Sequence, residues 1–330
     1  MFAWDRKKVL VTGAGGFIGS HLTERLFGLG AKVRAFVRYT SRSDDGFIKY
    51  FSDDLRNNMD IVYGDIRELE TVVKAIDGVD VIFNLAALVG IPYSYIHPQE
   101  VIEANTIGTL NILMAARDAG IEKLVQTSTS EVYGTARYVP INEDHPKQPQ
   151  SPYSASKIAA DAIALSFYHS FDLPVAVIRP FNTYGPRQSD RAVIPSIISQ
   201  ALTKDRLTLG NMTPTRDFTF VTDTAEGFIK VAESEKSVGM EINIGSGQEI
   251  SIEDLTRKII SLVGRDIVVE HDKERLRPAH SEVERLCADN TRARNVLGWL
   301  PKVSLTHGLE ETISFIKSNP SFYDPDKYRV

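Results

Sequence analysis

The chain has 330 residues, enough for one large domain or for two smaller ones that share a cleft. Hydrophobic residues make up 42% and charged residues 25%, and the formal charge is −5 with no long run of one sign. A nucleic-acid partner, which would favour a basic face, is therefore not expected. The single cysteine, Cys287, excludes an intramolecular disulfide and a cysteine-only zinc site and fits a reducing compartment. With no secretory apolar region and no apolar segment of membrane length, a cytoplasmic protein without a membrane partner is expected.

Short β-branched runs alternate with amphipathic stretches through the first half. KVLVT (8–12), KVRAFV (32–37), DIVYG (60–64), DVIFNLA (80–86), KLVQTS (123–128) and PVAVIRP (174–180) read as buried strands. Between them FIGSHLTERLFGLG, LETVVKAIDG and QEVIEANTIGTLNILMAARDAG read as helices, and another begins near Tyr153. Such alternation predicts βαβ units and an α/β fold, a Rossmann-type doubly wound parallel sheet. After Pro180 proline and glycine thicken and the elements shorten. A strand, a turn and a helix are predicted in EINIGSGQEISIEDLTRKIISLVG, and a last helix over Leu305–Lys317. The natural division is a dinucleotide-binding domain over 1–180 and a smaller C-terminal α/β substrate-binding lobe over 181–330, with the chain free to recross.

The loop GAGGFIG follows the first strand and opens the first helix. Its Gly13, Gly16 and Gly19 have GxxGxxG spacing. Glycines let backbone approach a pyrophosphate, and the helix start at Phe17 and Ile18 offers unpaired N–H groups and a positive dipole end. A tight turn alone would explain a lone glycine motif; the strand before, the helix after and the βαβ repeat favour a dinucleotide. An acidic residue after the second strand would mark NAD, but FVRYTSRSD places Arg38 and Arg42 there, which leans toward NADP. Asp65 and Ile66, after the third strand, are placed near the adenine. Asn84, Leu85, Ala86 and Ala87 are placed beside the nicotinamide ribose.

Tyr153 and Lys157 in SPYSASK are four apart and share one helix face. A lysine ammonium beside a phenol stabilises phenolate, so Tyr153 can take a proton from an alcohol as hydride leaves for the cofactor.

In this order and spacing, GxxGxxG, NLAA, STSEVYG, YSASK and RPFNTYGPR resemble the extended short-chain dehydrogenase/reductases, specifically the nucleotide-sugar 4-epimerases, 4,6-dehydratases and decarboxylases. The resemblance implies a nucleotide-sugar substrate, a tightly held and recycled NAD or NADP, and a homodimer paired through two helices. It implies that Thr129 hydrogen-bonds the sugar 4-hydroxyl, Tyr153 is the base and Lys157 tunes it. The three reactions share oxidation at C4 and part after Thr129. Epimerases need no carboxylate at 131. The dTDP-glucose dehydratases carry aspartate and glutamate together, where this chain has Ser130 and Glu131. Either Glu131 takes the C5 proton and passes it to the leaving hydroxyl, with Ser130 positioning or relaying, or the substrate is a uronic acid that loses carbon dioxide.

Further stretches, TARYVPINEDHPKQPQ, RPFNTYGPRQSDRAVIPSII, NMTPTRDFTFVTD, INIGSGQEIS and RLRPAHSEVERL, resemble the LegB-type dehydratases of nucleotide-linked N-acetylglucosamine. That resemblance favours a one-carboxylate 4,6-dehydratase. It assigns Asn182 to the sugar and diphosphate, Arg216 and Arg277 to phosphate, and the segment from Val193 to Ile197 and the strand near Leu207–Leu209 to the base. Arg187 and Arg191 are expected to flank the cleft entrance. The histidines show no metal-ligand spacing, and no metal is expected.

Overall fold

The computed structural model describes residues 2–41, 44–272 and 281–324. Its strands are β1 (Lys8–Thr12), β2 (Lys32–Arg38), β3 (Asp60–Gly64), β4 (Val81–Asn84), β5 (Lys123–Thr127), β6 (Val175–Pro180), β7 (Asn182–Tyr184), β8 (Arg206–Leu209), β9 (Thr215–Phe220), β10 (Glu241–Ile244), β11 (Glu249–Ser251) and β12 (Val268–His271). The helices are α1 (Phe17–Gly28), α2 (Asp53–Asn58), α3 (Leu69–Ile76), α4 (Ile91–Ile96), α5 (Pro98–Ile102), α6 (Gly108–Ala119), α7 (Pro152–Phe171), α8 (Val193–Thr203), α9 (Val221–Glu233), α10 (Ile252–Val263) and α11 (Leu305–Ser318).

Seven strands form one parallel sheet in the order β10-β6-β5-β4-β1-β2-β3. The β-branched runs of the sequence are buried on both faces, as a parallel sheet covered on both sides requires. On one face α1 and α9 pack Leu22, Leu26, Phe228 and Ile229 against Val9, Val11 and Phe83. On the other, α3, α6 and α7 pack Val72, Ile112, Leu113 and Ala164 against Leu10, Ile82 and Leu124. The strand order reverses between β1 and β4, and a crevice at such a reversal is where open α/β sheets take ligands.

Beyond residue 180 the chain builds a mixed sheet, β11-β9-β7, and a parallel pair, β12-β8. Helices α8, α10 and α11 enclose a separate core of Ile197, Ile198, Leu255, Ile259, Leu309 and Ile313. The chain does recross: α9 covers the large sheet and β10 pairs with β6 at its edge. The stretch expected as one helix from Gln99 is continuous from Pro98 to Ala119 but carries a widened π turn over Glu103–Ile107 between α5 and α6. Among the described residues no helix is long and apolar enough to cross a membrane.

The glycine loop is fixed by contact. A Cβ on Gly19 would fall against the Gly13 carbonyl oxygen, and one on Gly13, at φ 70°, would meet the Ala86 backbone nitrogen at 3.1 Å. Backbone cannot move aside as a flexible side chain does. Gly19→Ala is therefore expected to destabilise the fold by at least about 2 kcal/mol, read as a lower unfolding midpoint; an unchanged midpoint would contradict this packing.

Candidate functional site

One cavity of about 1070 Å³ runs between the carboxyl ends of the large sheet and the C-terminal lobe. Its dinucleotide half is lined by Gly13, Gly16, Phe17, Ile18, Gly19, Arg38, Asp65, Ile66, Leu85, Ala86 and Ala87, all anticipated from the sequence. Asn84 is the exception. It is buried beneath the floor, accepting from Thr12 Oγ1 at 2.8 Å and donating to Gln126 at 2.8 Å. Thr12 Oγ1 also accepts from the Leu85 and Ala86 backbone N–H groups at 3.0 Å, which fixes the loop that does line the cavity.

The residues fit a dinucleotide. Helix α1 begins at Phe17 behind Gly16, which offers no side-chain cap, has no acidic residue in its first turn, and turns its first residues to the cavity. Free N–H groups and the positive dipole end suit a pyrophosphate. At the adenosine side Arg38 stands 3.8 Å from Asp65 and 3.7 Å from Glu100. Arg67 donates to both Asp65 oxygens at 3.0 and 2.7 Å and lies 3.9 Å from Glu103. The Arg67 hydrogen bonds hold the Asp65 carboxyl below its usual range. Arg42 lies outside the described residues.

The reactive half is built where β5 ends and α7 begins. A short turn over Ser130–Tyr133 follows β5, and the Thr129 side chain caps it by accepting from the Glu131 N–H at 3.2 Å. The Thr129 hydroxyl proton is thereby left for other acceptors. Helix α7 starts on Pro152 behind a reciprocal Ser151–Ser154 cap, which fixes the first turn carrying Tyr153. Tyr153 is 7% and Lys157 3% exposed, and both line the cavity with Thr129, Ser130 and Glu131. Thr129 stands beside the Tyr153 phenol and favours its charged form. Burial pushes the Tyr153 phenol up, opposed by the Thr129 hydroxyl beside it, and the Glu131 and Asp161 charges push the same way as burial. Burial pulls Lys157 down from 10.5 to about 8, with Asp161 pulling it back up.

The lobe supplies the remaining wall. Asn182, Arg191, Val193 and Arg216 line the cavity as anticipated, whereas Arg277 lies outside the described residues. Arg216 is buried and pairs at 3.3 Å with Glu282, a cavity-lining carboxylate that the sequence reading passed over. Leu209 lines the wall, but Leu207 and Ile197 belong to the lobe core. Arg187 does not flank the cleft. It donates to both carboxylate oxygens of Glu24 on α1, at 2.7 and 3.0 Å, and lies over the Phe51 ring. Asn105 in the π turn was also passed over. It holds Leu88 through both backbone groups, at 2.8 and 3.0 Å, and donates to Ser156 Oγ on α7 at 3.0 Å. A buried asparagine inside a helical pattern gave no signal that it supports the wall from behind. Among the described residues no cluster of His, Cys, Asp and Glu could hold a metal.

Residues 10–312 match the family model described as GDP-mannose 4,6 dehydratase. The chain is 36% identical over 318 residues to UDP-glucose 4-epimerase of Mycolicibacterium smegmatis, covering 94% of this chain and 99% of that one. It is 33% identical over 324 residues to UDP-glucuronic acid decarboxylase 1 of Xenopus tropicalis, covering 95% and 73%. Among solved structures it is similar to DesIV, the dTDP-glucose 4,6-dehydratase of Streptomyces venezuelae with NAD bound, at TM-score 0.86 and 28% identity, covering 97% and 100%.

The Lys157 burial has a measurable consequence. An unfolded lysine keeps its proton to 10.5 and the folded one releases it near 8, so between these values the unfolded chain binds more protons. The contribution of this site to stability must then rise with pH across that window. Relative to wild type, the stability advantage of Lys157→Met should shrink by on the order of 3 kcal/mol between pH 8 and 10.5 in denaturant titrations. A constant difference would mean that Lys157 is not depressed.

Proposed function

The chain belongs to the GDP-mannose 4,6 dehydratase family of extended short-chain dehydrogenase/reductases, NAD-dependent enzymes on nucleotide sugars, and within it we propose a nucleotide-sugar 4,6-dehydratase. Its substrate in this reading is UDP- or GDP-N-acetylglucosamine, and its product the 4-keto-6-deoxy sugar. The observation that carries the reading is the Glu131 carboxylate in the cavity wall beside Thr129 and Tyr153. Removal of the C5 proton needs a base there; inversion at C4 does not.

The glycine loop and the start of α1 hold the dinucleotide pyrophosphate, and Asp65, Ile66, Leu85, Ala86 and Ala87 hold its adenine and nicotinamide ends. When bound, the dinucleotide would supply the acceptor for hydride from C4 and the donor of hydride to C6. Thr129 hydrogen-bonds the sugar 4-hydroxyl and Tyr153 takes its proton, with Lys157 stabilising the phenolate. Glu131 takes the C5 proton, made acidic by the C4 ketone, and delivers it to the C6 hydroxyl, which leaves as water; as hydride returns to C6, C5 regains a proton, balanced by the one that Tyr153 took from the 4-hydroxyl. Ser130 is too weak an acid to protonate a leaving group and positions the substrate or relays. Asn182, Arg191, Val193, Arg216 and Arg277 receive the nucleoside diphosphate, Arg216 turning from Glu282 to do so.

NAD is the cofactor this site favours, despite Arg38. Around Arg38 and Arg67 stand three carboxylates, Asp65, Glu100 and Glu103, which leave the adenosine end without surplus positive charge for a 2′-phosphate. The solved DesIV relative carries NAD. We further propose a cytoplasmic homodimer paired through the α5–α6 run and α7, whose Ile102, Ile107 and Phe171 are exposed in the single chain. Residues 1–180 then hold the dinucleotide, and 181–330 the nucleotide sugar except where α9 and β10 rejoin the large sheet.

The M. smegmatis relative favours a second reading, a UDP-sugar 4-epimerase, and the X. tropicalis relative a third, a UDP-glucuronate decarboxylase. Glu131→Gln separates them. It should lower dehydration at least about a thousandfold while substrate still reduces the bound dinucleotide, seen as nicotinamide absorbance. Normal turnover in this variant would remove Glu131 from the reaction and leave epimerisation. Acid release and chromatography of the bound dinucleotide should yield NAD; NADP would return Arg38 to a 2′-phosphate site.

A further inference from the structure

Asp161 lies one turn beyond Lys157 on α7 and is fully buried. Its Oδ2 accepts from Ser128 Oγ at 2.6 Å and from the Arg179 guanidinium at 3.0 Å. Its Oδ1 has no hydrogen-bond partner among the described residues. A buried carboxylate with an unused oxygen is costly, and the reaction proposed above gives it no task.

The charged surroundings are defined on each side. From α7 itself Lys157 and Tyr153 feel the Asp161 charge. From β6 comes Arg179, which also donates to the Tyr133 hydroxyl at 2.9 Å and pairs with Glu241 of β10. Lys147 closes on Glu241 at 2.5 Å, and Glu143 stands near enough to Arg179 for its own charge to be affected. Tyr133 in turn donates to Asn243 at 2.8 Å. Arg179 is thus divided between two carboxylates and occupies only the Oδ2 side of Asp161. The other cation on the same helix face, Lys157, makes no ion pair with Asp161 but lies one turn away and feels its charge. Ser128, bonded to Oδ2, directly precedes Thr129.

We propose that Asp161 is a positioning residue for the catalytic group: its buried charge, one turn along α7, keeps the Lys157 ammonium charged in the cavity wall, and its Oδ2, through Ser128, fixes the strand end that presents Thr129. The inference rests on the roles proposed for Tyr153, Lys157 and Thr129. Burial alone would discharge Lys157, and Asp161 is the group that opposes it.

The test uses the purified full-length protein with its bound dinucleotide and Asp161→Asn, which keeps the shape and an oxygen for Ser128 but removes the charge. Lys157 acetylation by acetic anhydride is followed against pH by peptide mass spectrometry, without substrate. The Lys157 midpoint should fall by about one pH unit or more in the variant. With substrate, the alkaline limb of the kcat profile should move down with it, kcat should fall about tenfold and KM should stay within about twofold. An unmoved Lys157 midpoint overturns the inference, even if activity falls, because a merely structural role would leave that titration in place. If wild type turns over no nucleotide sugar, the proposed reaction fails while the labelling still decides the role of Asp161. Should Asp161→Asn not fold, Ser128→Ala carries the test: the clamp requires a kcat drop of about fivefold at unchanged KM and an unmoved Lys157 midpoint, and an unchanged kcat overturns it.

Discussion

In the proposed reaction Tyr153 and Lys157 act as ions, yet both sit where water is nearly absent, and burial drives each toward neutrality. Most of the architecture around them can be read as a response to that cost. Helix α7 places phenol and ammonium on one face, one turn apart. Thr129, just beyond β5, favours the charged phenol, and Asp161, itself held by Ser128 and Arg179, raises the lysine from behind. The cavity-lining position of both residues means that a positively charged nicotinamide ring and a bound sugar would complete the electrostatic balance only when present.

The same economy governs the cofactor end. The sheet order reverses between β1 and β4, so the loops after those strands diverge and leave a crevice over the start of α1. The glycine loop has no room for side chains because backbone meets backbone at Gly13, Gly19 and Ala86. Selectivity falls instead to the rim, where Arg38 and Arg67 are embedded among carboxylates. Counting arginines after β2 points to a phosphate; counting the carboxylates that fold beside them points to ribose hydroxyls.

That contrast shows what was legible in the sequence and what was not. Six strands of the large sheet could be read from their β-branched runs because a parallel sheet buried on both faces demands continuous apolar stretches, and these carry no rival period. The glycine loop and the Tyr153–Lys157 pair were legible because local spacing sets their geometry. The seventh strand, β10, was visible as a strand but not as a member of that sheet, since its partner β6 lies some sixty residues away and nothing local encodes the pairing. Asn84, Arg187 and Leu207 misled for one reason: residue type and neighbourhood suggested a role, while long-range partners, Gln126, Glu24 and the lobe core, turned each away from the cavity. Glu282, Asn105 and Asp161 were missed for the converse reason, because distant partners bring them to the site or its supports.

The choice among reactions that share C4 oxidation rests on one side chain. Relatives with epimerase, decarboxylase and dehydratase names all resemble this chain over more than nine-tenths of its length, so similarity does not separate them. In the proposed elimination Glu131 both removes and delivers a proton, a task that epimerisation does not set, and the products therefore decide among the three. The most direct measurement is mass spectrometry and NMR of nucleotide products after purified protein is incubated separately with UDP-N-acetylglucosamine, GDP-N-acetylglucosamine, UDP-glucose and UDP-glucuronate. The account predicts loss of one water from an N-acetylglucosamine nucleotide, with the carbonyl at C4 and a methyl at C6. Loss of carbon dioxide from the glucuronate, or a C4 epimer of unchanged mass, with no water lost from any substrate, would contradict it.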